Sequence, residues 1–309
     1  RFCILNALIP ICSSYLRAFG FSKEPLYASI IGNVINFCLN AFFLFVLHKG
    51  VAGVATATVI SRIINLVIVV LLGAVLVKAK QHPERASNRA VMGQIIRIGL
   101  PSACETAIYN VSMTLVIRFL NQMDAQGLNV TARSYTMQIT NFSYCVGAAL
   151  AQANAIMTGW HIGAKEYDAC DRGTKKAAVI GVIVAVILET VFTLCSGWIM
   201  QLFSKDPQMV SLVGKLLAID IVLEIGRVTN LVYGQALKTS GDAVFPVVMG
   251  ACFMILCSVG GTYLFGIRLG LLAVGAYIGM AGDECVRAVG MYLRWKSGKW
   301  KEKGLVKSR

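Results

Sequence analysis

Apolar stretches long enough to cross a bilayer as a helix follow one another through this chain, at 26–48, 51–77, 92–120, 131–160, 177–203, 208–237, 243–266 and 269–293, with a partial ninth over 1–18. A helix needs about 20 apolar residues to span the hydrocarbon, and tilt accommodates a longer one. With 57% hydrophobic and 14% charged residues and a mean hydropathy of +0.69, a water-soluble domain would carry more apolar surface than its core could hide. In lipid, backbone groups must be satisfied within each segment, so runs of this kind become helices. The expected fold is an all-α polytopic membrane protein.

The chain also resembles itself. Leu16-Arg17-Ala18 through Pro25 recurs as Leu237-Lys238-Thr239 through Pro246, with the leucine, the cation and the closing proline each offset by 221 residues. After each proline comes an apolar run, then a Gly-rich turn (Gly50-Val51-Ala52-Gly53 and Gly270-Leu271-Leu272), then a second apolar helix. Duplicated membrane units are a recurring plan of secondary transporters, with the substrate site at the midplane between the halves. If 92–293 is a complete six-helix copy, residues 1–77 hold only the last three helices of the first. The chain opens on Arg1-Phe2-Cys3, already inside an apolar run. The expectation is therefore a two-lobe bundle with nine of about twelve helices present and roughly 100 residues missing at the front. The polar stretch 78–91 reads as the linker between lobes, and 294–309 as a basic tail.

The net charge of +14 would suit a nucleic-acid binder, but its placement does not. Eighteen Lys and Arg fall in loops on the side of the C-terminal tail, against three (Lys49, Lys205 and Arg268) on the other. By the positive-inside rule the tail and 78–91 face the cytoplasm of a cell membrane, inner or plasma, and no nucleic-acid partner is expected. The tail, with Trp295 and Trp300, is expected to lie along anionic headgroups. Ten cysteines are scattered and never form CxxC, as small core residues are. Three histidines stand singly, which supports no zinc site or His-based catalytic set. With no P-loop or dinucleotide fingerprint either, no organic cofactor is expected.

Polar groups inside the spans each need a partner or a wet cavity. Asn36 and Asn40 are i, i+4 on one face of 26–48, and depth counting across the short turn sets Thr58 level with Asn40. Amide oxygens and a hydroxyl at one depth suit a small hard cation such as Na⁺; hydrogen bonding between helices is the other reading. At the 221 offset the pair falls on Cys257 and Gly261, so a symmetric packing role does not require it. Glu224 and Arg227, i, i+3 on 208–237, are either a structural ion pair or substrate contacts, with Asn230 one turn on. Glu105, four residues after Pro101, either carries a proton or pairs with Arg227. Asp283 and Arg287 read as an ion pair at the end of the last span, and Glu189 has no partner visible in sequence. Gln138, Asn141, Gln152 and Asn154 give 131–160 a polar stripe, as cavity lining or as helix glue.

Taken in order, Leu16-Arg17-Ala18-Phe19-Gly20 through Pro25, Gly50-Val51-Ala52-Gly53 through Thr58, Gly99-Leu100-Pro101 through Glu105, Ala151-Gln152 through Gly163-Ala164, and Glu224 through Asn230 resemble the multidrug and toxic compound extrusion (MATE) transporters. The resemblance runs over essentially all of 1–293. It implies two six-helix lobes around a central cavity, inward and outward states, and export of organic cations or other amphiphiles driven by Na⁺ or H⁺ influx. It further implies an N-lobe cation site of two residues i, i+4 on the fifth helix, a Thr on the sixth and an Asp on the first. Asn36, Asn40 and Thr58 match the first three, and the fourth would precede Arg1. Glu105 matches the seventh-helix Glu of the branch with the Gly-Leu-Pro-x-x-x-Glu spacing. Arg227 stands where some branches place a tenth-helix acid, with Glu224 one turn away as its stand-in.

The leading expectation is a monomeric antiporter, not an enzyme, that exports drugs or amphiphilic metabolites by alternating access. Its coupling ion is Na⁺ or H⁺, and its substrate and proton groups are Glu105, Glu224, Arg227 and Asn230. A lipid-linked oligosaccharide flippase of the same superfamily is the first alternative, and an intramembrane transferase on polyprenyl substrates the second.

Overall fold

The computed structural model describes residues 3–78, 88–124 and 126–303, and among these there is no strand. The expected linker lies outside the described residues over 79–87, as does the end of the tail, 304–309. The chain divides into two compact units, Arg1–Ala86 and Ser87–Arg309.

The first unit holds α1 (Cys3–Ala18), α2 (Lys23–Ala41) and α3 (Gly50–Lys78). α2 runs on through a π turn, Phe42–Val46, and the chain reverses at His48 and Gly50, both with positive φ. Leu16, Ala28, Val69 and Val77 form its core. Large apolar side chains such as Phe37, Phe45 and Val75 stay exposed, as suits helices whose solvent is hydrocarbon rather than water.

The second unit holds α4 (Asn88–Met123), α5 (Leu128–Gly163), α6 (Tyr167–Leu194), the short α7 (Ser196–Gln201), α8 (Pro207–Thr239), α9 (Val244–Phe253) and α10 (Leu272–Lys296). α9 continues through π segments at Met254–Val259 and Thr262–Arg268. α8 is the central element, packed against α5, α6 and α10, and its buried face includes Leu216, Leu217, Leu223 and Val228. Asp206 starts it, its carboxylate accepting the Gln208 amide at 2.9 Å with Pro207 at the first position. The stretch 177–203, expected as one span, is instead divided at Cys195, and its helix begins ten residues earlier at Tyr167. The polar run there extends the helix beyond its apolar part, with Lys175 and Asp171 paired at i, i+4 and 2.6 Å. Among the described residues four stretches, Lys23–Val46, Gly50–Val77, Tyr167–Leu194 and Val244–Arg268, are long and apolar enough to cross a membrane by length and composition. α4, α5, α8 and α10 are comparably long, and they carry Glu105, Arg133, Arg227 and Arg287, which line a cavity in the second unit.

The duplication read from sequence has a local structural counterpart. Gly20 and Gly241, again 221 apart, have φ of 90° and 94°, a left-handed turn that glycine makes without steric cost. In both copies the next residue reaches back to the leucine carbonyl: Phe21 N to Leu16 O at 3.1 Å and Asp242 N to Leu237 O at 2.9 Å. This is the closing bond of a Schellman motif. Leu16 and Leu237 are both fully buried.

The start of the tail does not lie out along headgroups as expected. Trp295 and Trp300 are each 1% exposed and stack on one another, with ring centroids 4.2 Å apart and planes 9° apart. Trp295 Nε1 donates to Asp171 at 2.8 Å, and Trp300 Nε1 to the Trp295 carbonyl at 3.0 Å. The 3₁₀ turn Lys299–Lys303 folds the tail back, so the rings bury their area in protein. The turn also carries Lys303 to Asp242 (2.7 Å), which Arg294 holds from the other side at 2.7 Å. Burial pushes the Asp242 carboxyl up, but its bonds to Arg294 and Lys303 outweigh this and hold it below the usual aspartate value. The stabilisation is therefore complete above the ordinary value of about 3.9 and is lost as pH falls through the lowered native value. Asp242→Asn is expected to be less stable than the parent at pH 7, with the difference closing below about pH 4. Thermal melts across that range check it; an unchanged difference at pH 3 would contradict it.

Candidate functional site

α4, α5, α8, α10 and the π segment after α9 enclose a cavity of about 470 Å³ in the second unit. The helices meet there because each carries polar groups that lipid would not accept. Met113, Met137 and Met254 with Tyr109, Tyr144 and Tyr277 supply its apolar wall, adaptable thioethers beside rings with one polar edge.

Arg227 sits at the centre of the charges. Its Nη1 donates to Glu224 Oε1, its Nε lies 3.8 Å from Glu284 Oε1, and its guanidinium lies 5.9 Å from the centre of the Tyr144 ring. Glu284 accepts from Asn230 Nδ2 at 3.0 Å and pairs with Arg287 at 2.9 Å. Arg287 also grips Asp283 with two bonds of 2.9 Å, and Ser258 donates to the same carboxylate at 2.9 Å. Asp283 and Arg287 are thus a pair, as expected, but not at a helix end. They are 1% and 4% exposed in the cavity wall, because α10 runs on to Lys296 and leaves them mid-helix.

Glu105 takes a different partner from the one expected. Lys238 Nζ lies 2.6 Å from its Oε2, with both side chains under one fifth exposed. The sequence reading counted Lys238 with the loops, whereas α8 reaches Thr239 and turns this cation onto α4. Gly250 leaves the room, since a Cβ there would stand 3.2 Å from Glu105 Oε1. Of the residues expected at a substrate site, Glu105, Arg227 and Asn230 line the cavity. Glu224 is turned away from it, fully buried, toward Glu189 and Asp220.

In the first unit Asn36 and Asn40 come together and Thr58 does not join them. Asn40 Nδ2 donates to Asn36 Oδ1 at 3.1 Å and Asn36 Nδ2 to Ser61 Oγ at 3.0 Å. The Thr58 hydroxyl instead donates to the Val54 carbonyl of its own helix at 2.9 Å. The π turn at Phe42–Val46 changes the spacing that depth counting assumed, so Ser61, one turn further along α3, takes the place expected for Thr58. Asn40 Oδ1 is buried with no hydrogen-bond partner among the described residues.

The site residues that sequence reasoning passed over are Ser61, Asp220, Lys238 and Glu284. One signal was available for Asp220: it stands i, i+4 from Glu224 in an otherwise apolar run, so the two share a face.

Comparison with known proteins agrees with this architecture. The MatE family model matches residues 101–264. An uncharacterised transporter, YisQ, of Bacillus subtilis is 33% identical over 98% of this chain and 67% of its own length. The probable multidrug resistance protein NorM of Thermotoga maritima is 22% identical over 97% of this chain and 65% of its own. Among solved structures, an outward-facing multidrug resistance MATE family transporter superposes with a TM-score of 0.82 at 19% identity, over 94% of this chain and 66% of that one. The MATE transporter ClbM in complex with Rb⁺ gives 0.79 at 17% identity, over 93% and 64%. The chain spans about two thirds of the length of these relatives. The intramembrane transferase reading falls with these matches, because the family's members are transporters. A helical chain with a duplicated turn, a charged cavity in its second unit and a family model matched over more than half its length belongs to the MATE family of membrane transporters.

Proposed function

We propose that this chain works as a secondary antiporter that exports drugs or amphiphilic metabolites, coupled to influx of Na⁺ or H⁺ by alternating access. In this reading 1–77 ends the N-lobe, 92–293 is the C-lobe and 294–309 is the cytoplasmic tail of a monomer in the cell membrane. The observation that carries it is the cavity of about 470 Å³ in the second unit, within the range of about 300–1,000 Å³ that small-molecule sites occupy. Its paired charges give it the means to exchange one partner for another. A cationic substrate competes with Lys238 for Glu105, so that binding of one releases the other. Substrate and ion then favour opposite access states, so the gradient drives export.

The test is efflux of a cationic dye from proteoliposomes under an imposed Na⁺ gradient and, separately, a pH gradient. Efflux under either supports antiport, and its absence under both favours the flippase. Ion coupling through the first unit rests on Asn36 and Asn40, whose amide oxygen lacks a partner. Asn40→Ala is expected to raise the Na⁺ concentration for half-maximal efflux about tenfold, the worth of one lost ligand bond; an unchanged Na⁺ dependence removes that site. Thr58→Ala, with its hydroxyl bonded within its own helix, should change it little.

A further inference from the structure

Behind the cavity wall, three carboxylates from two helices converge without cations enough to match them. Glu189 on α6 and Asp220 and Glu224 on α8 each present an oxygen, and these oxygens lie within 4.8 Å of one another. Glu189 and Glu224 are fully buried and Asp220 is 2% exposed. Both oxygens of Glu189, Oδ2 of Asp220 and Oε2 of Glu224 have no hydrogen-bond partner among the described residues. Arg227 occupies only Glu224 Oε1 and is shared with Glu284. A fifth oxygen stands beside them: Ser143 Oγ of α5 is fully buried, has no hydrogen bond of ordinary geometry among the described residues and neighbours Glu189.

Natural cores do not leave so many such oxygens together without cause. Packing gives no reason for them either, because an apolar residue at Glu189 would fill the same space in the apolar part of α6. What these oxygens share is that each can bind a cation, and the one donor among them, the Ser143 hydroxyl, can serve only one carboxylate oxygen at a time. The wider charge count agrees. In and behind the cavity six carboxyl groups, those of Glu105, Glu189, Asp220, Glu224, Asp283 and Glu284, stand among four cationic side chains, Arg133, Arg227, Lys238 and Arg287, of the described residues.

We infer that Glu189, Asp220, Glu224 and Ser143 form a site for a hard, oxygen-liganded cation of the size of Na⁺ or Ca²⁺. Oxygens on opposite sides of an ion with bonds of about 2.3–2.6 Å stand about 4.6–5.2 Å apart, which the observed spacing accommodates. Mg²⁺ is a poor occupant, because it keeps several of its waters and this pocket is closed by side chains. Asp220 alone of the four lines the cavity, and so provides the way in. An ion held here would neutralise the face of Glu224 opposite Arg227 and so set how firmly Arg227 is held. The site goes beyond the export reading and does not depend on it.

The experiment is thermal unfolding of the purified, chelator-treated protein in detergent, titrated with NaCl, CaCl₂ or MgCl₂ against choline chloride at constant ionic strength. Binding to the folded state alone raises the melting temperature with the logarithm of free ion. A saturable rise with Na⁺ or with Ca²⁺, absent with Mg²⁺ and choline, is expected, and which salt acts identifies the ion. Glu189→Gln keeps shape and removes a charge, and should abolish the rise. Ser143→Ala removes only a hydroxyl, and should shift its midpoint to several-fold higher ion while leaving the maximal rise intact. The site is overturned if no salt acts, if the rise persists in Glu189→Gln, or if only acidification stabilises the protein, which would mean that protons alone settle the cluster. Dye efflux is not part of the readout, so failure of the site and failure of the export reading are separately visible.

Discussion

Replacing Arg227 with alanine is expected to destabilise the second unit by about 3 kcal/mol, the lower end of the range for removing one partner of a buried ion pair. The lower end applies because the Arg227 side chain is a quarter exposed to the cavity, whereas its partners are not: Glu224 is fully buried and Glu284 12% exposed. Alanine leaves Glu224 facing Glu189 and Asp220 with no cation beside it. Arg227→Lys keeps the charge but not the fork that reaches Glu224 and Glu284 together, so its loss should be smaller. Arg227→Met combined with Glu224→Gln should recover part of the loss, since the double change leaves fewer buried charges unmatched. Denaturant melts of the four proteins in one detergent measure this. A loss below about 1 kcal/mol for Arg227→Ala would mean that water in the cavity already screens the pair.

That network divides into what one helix shows by itself and what only packing reveals. Glu224 and Arg227 are three residues apart on a single helix, so their pairing is legible from spacing. The spans are legible too, because hydrocarbon imposes a length and forbids unsatisfied backbone. Glu105 and Lys238 are 133 residues apart and Asn230 and Glu284 are 54 apart; their meeting depends on how α4, α8 and α10 are rotated, which hydropathy does not encode. Glu189 looked solitary for the same reason, as both of its acidic neighbours lie on another helix. The Thr58 expectation failed on a finer point. Depth counting assumes a regular helix, and the π turn at Phe42–Val46 breaks that regularity just before the reversal. The tryptophans of the tail misled because a basic, aromatic segment has the same composition whether it rests on lipid or folds back onto protein, and the partner that decides, Asp171, lies 124 residues away.

Gly226→Ala tests whether α8 and α10 touch backbone to backbone beside these charges. A Cβ at Gly226 would stand 2.8 Å from Cys285 N and 2.8 Å from Glu284 C, closer than real contacts allow and against atoms that cannot rotate away. Intrinsic helix propensity alone would favour alanine by about 1 kcal/mol. The sign of the effect is therefore informative: a net loss of about 1–3 kcal/mol is expected from overpacking. Gly173 on α6, with nothing within 4 Å of its would-be Cβ, is the comparison, and Gly173→Ala should be neutral or stabilising by up to about 1 kcal/mol. Because α10 as a whole must yield in Gly226→Ala, Glu284 moves away from both Arg227 and Asn230. The variant should thus weaken the cavity network as well as the packing, and its loss should shrink when Arg227 is already alanine, since the contact it disturbs is then absent. Additive losses in the double variant would mean that the close approach of α8 and α10 and the charge network are independent devices.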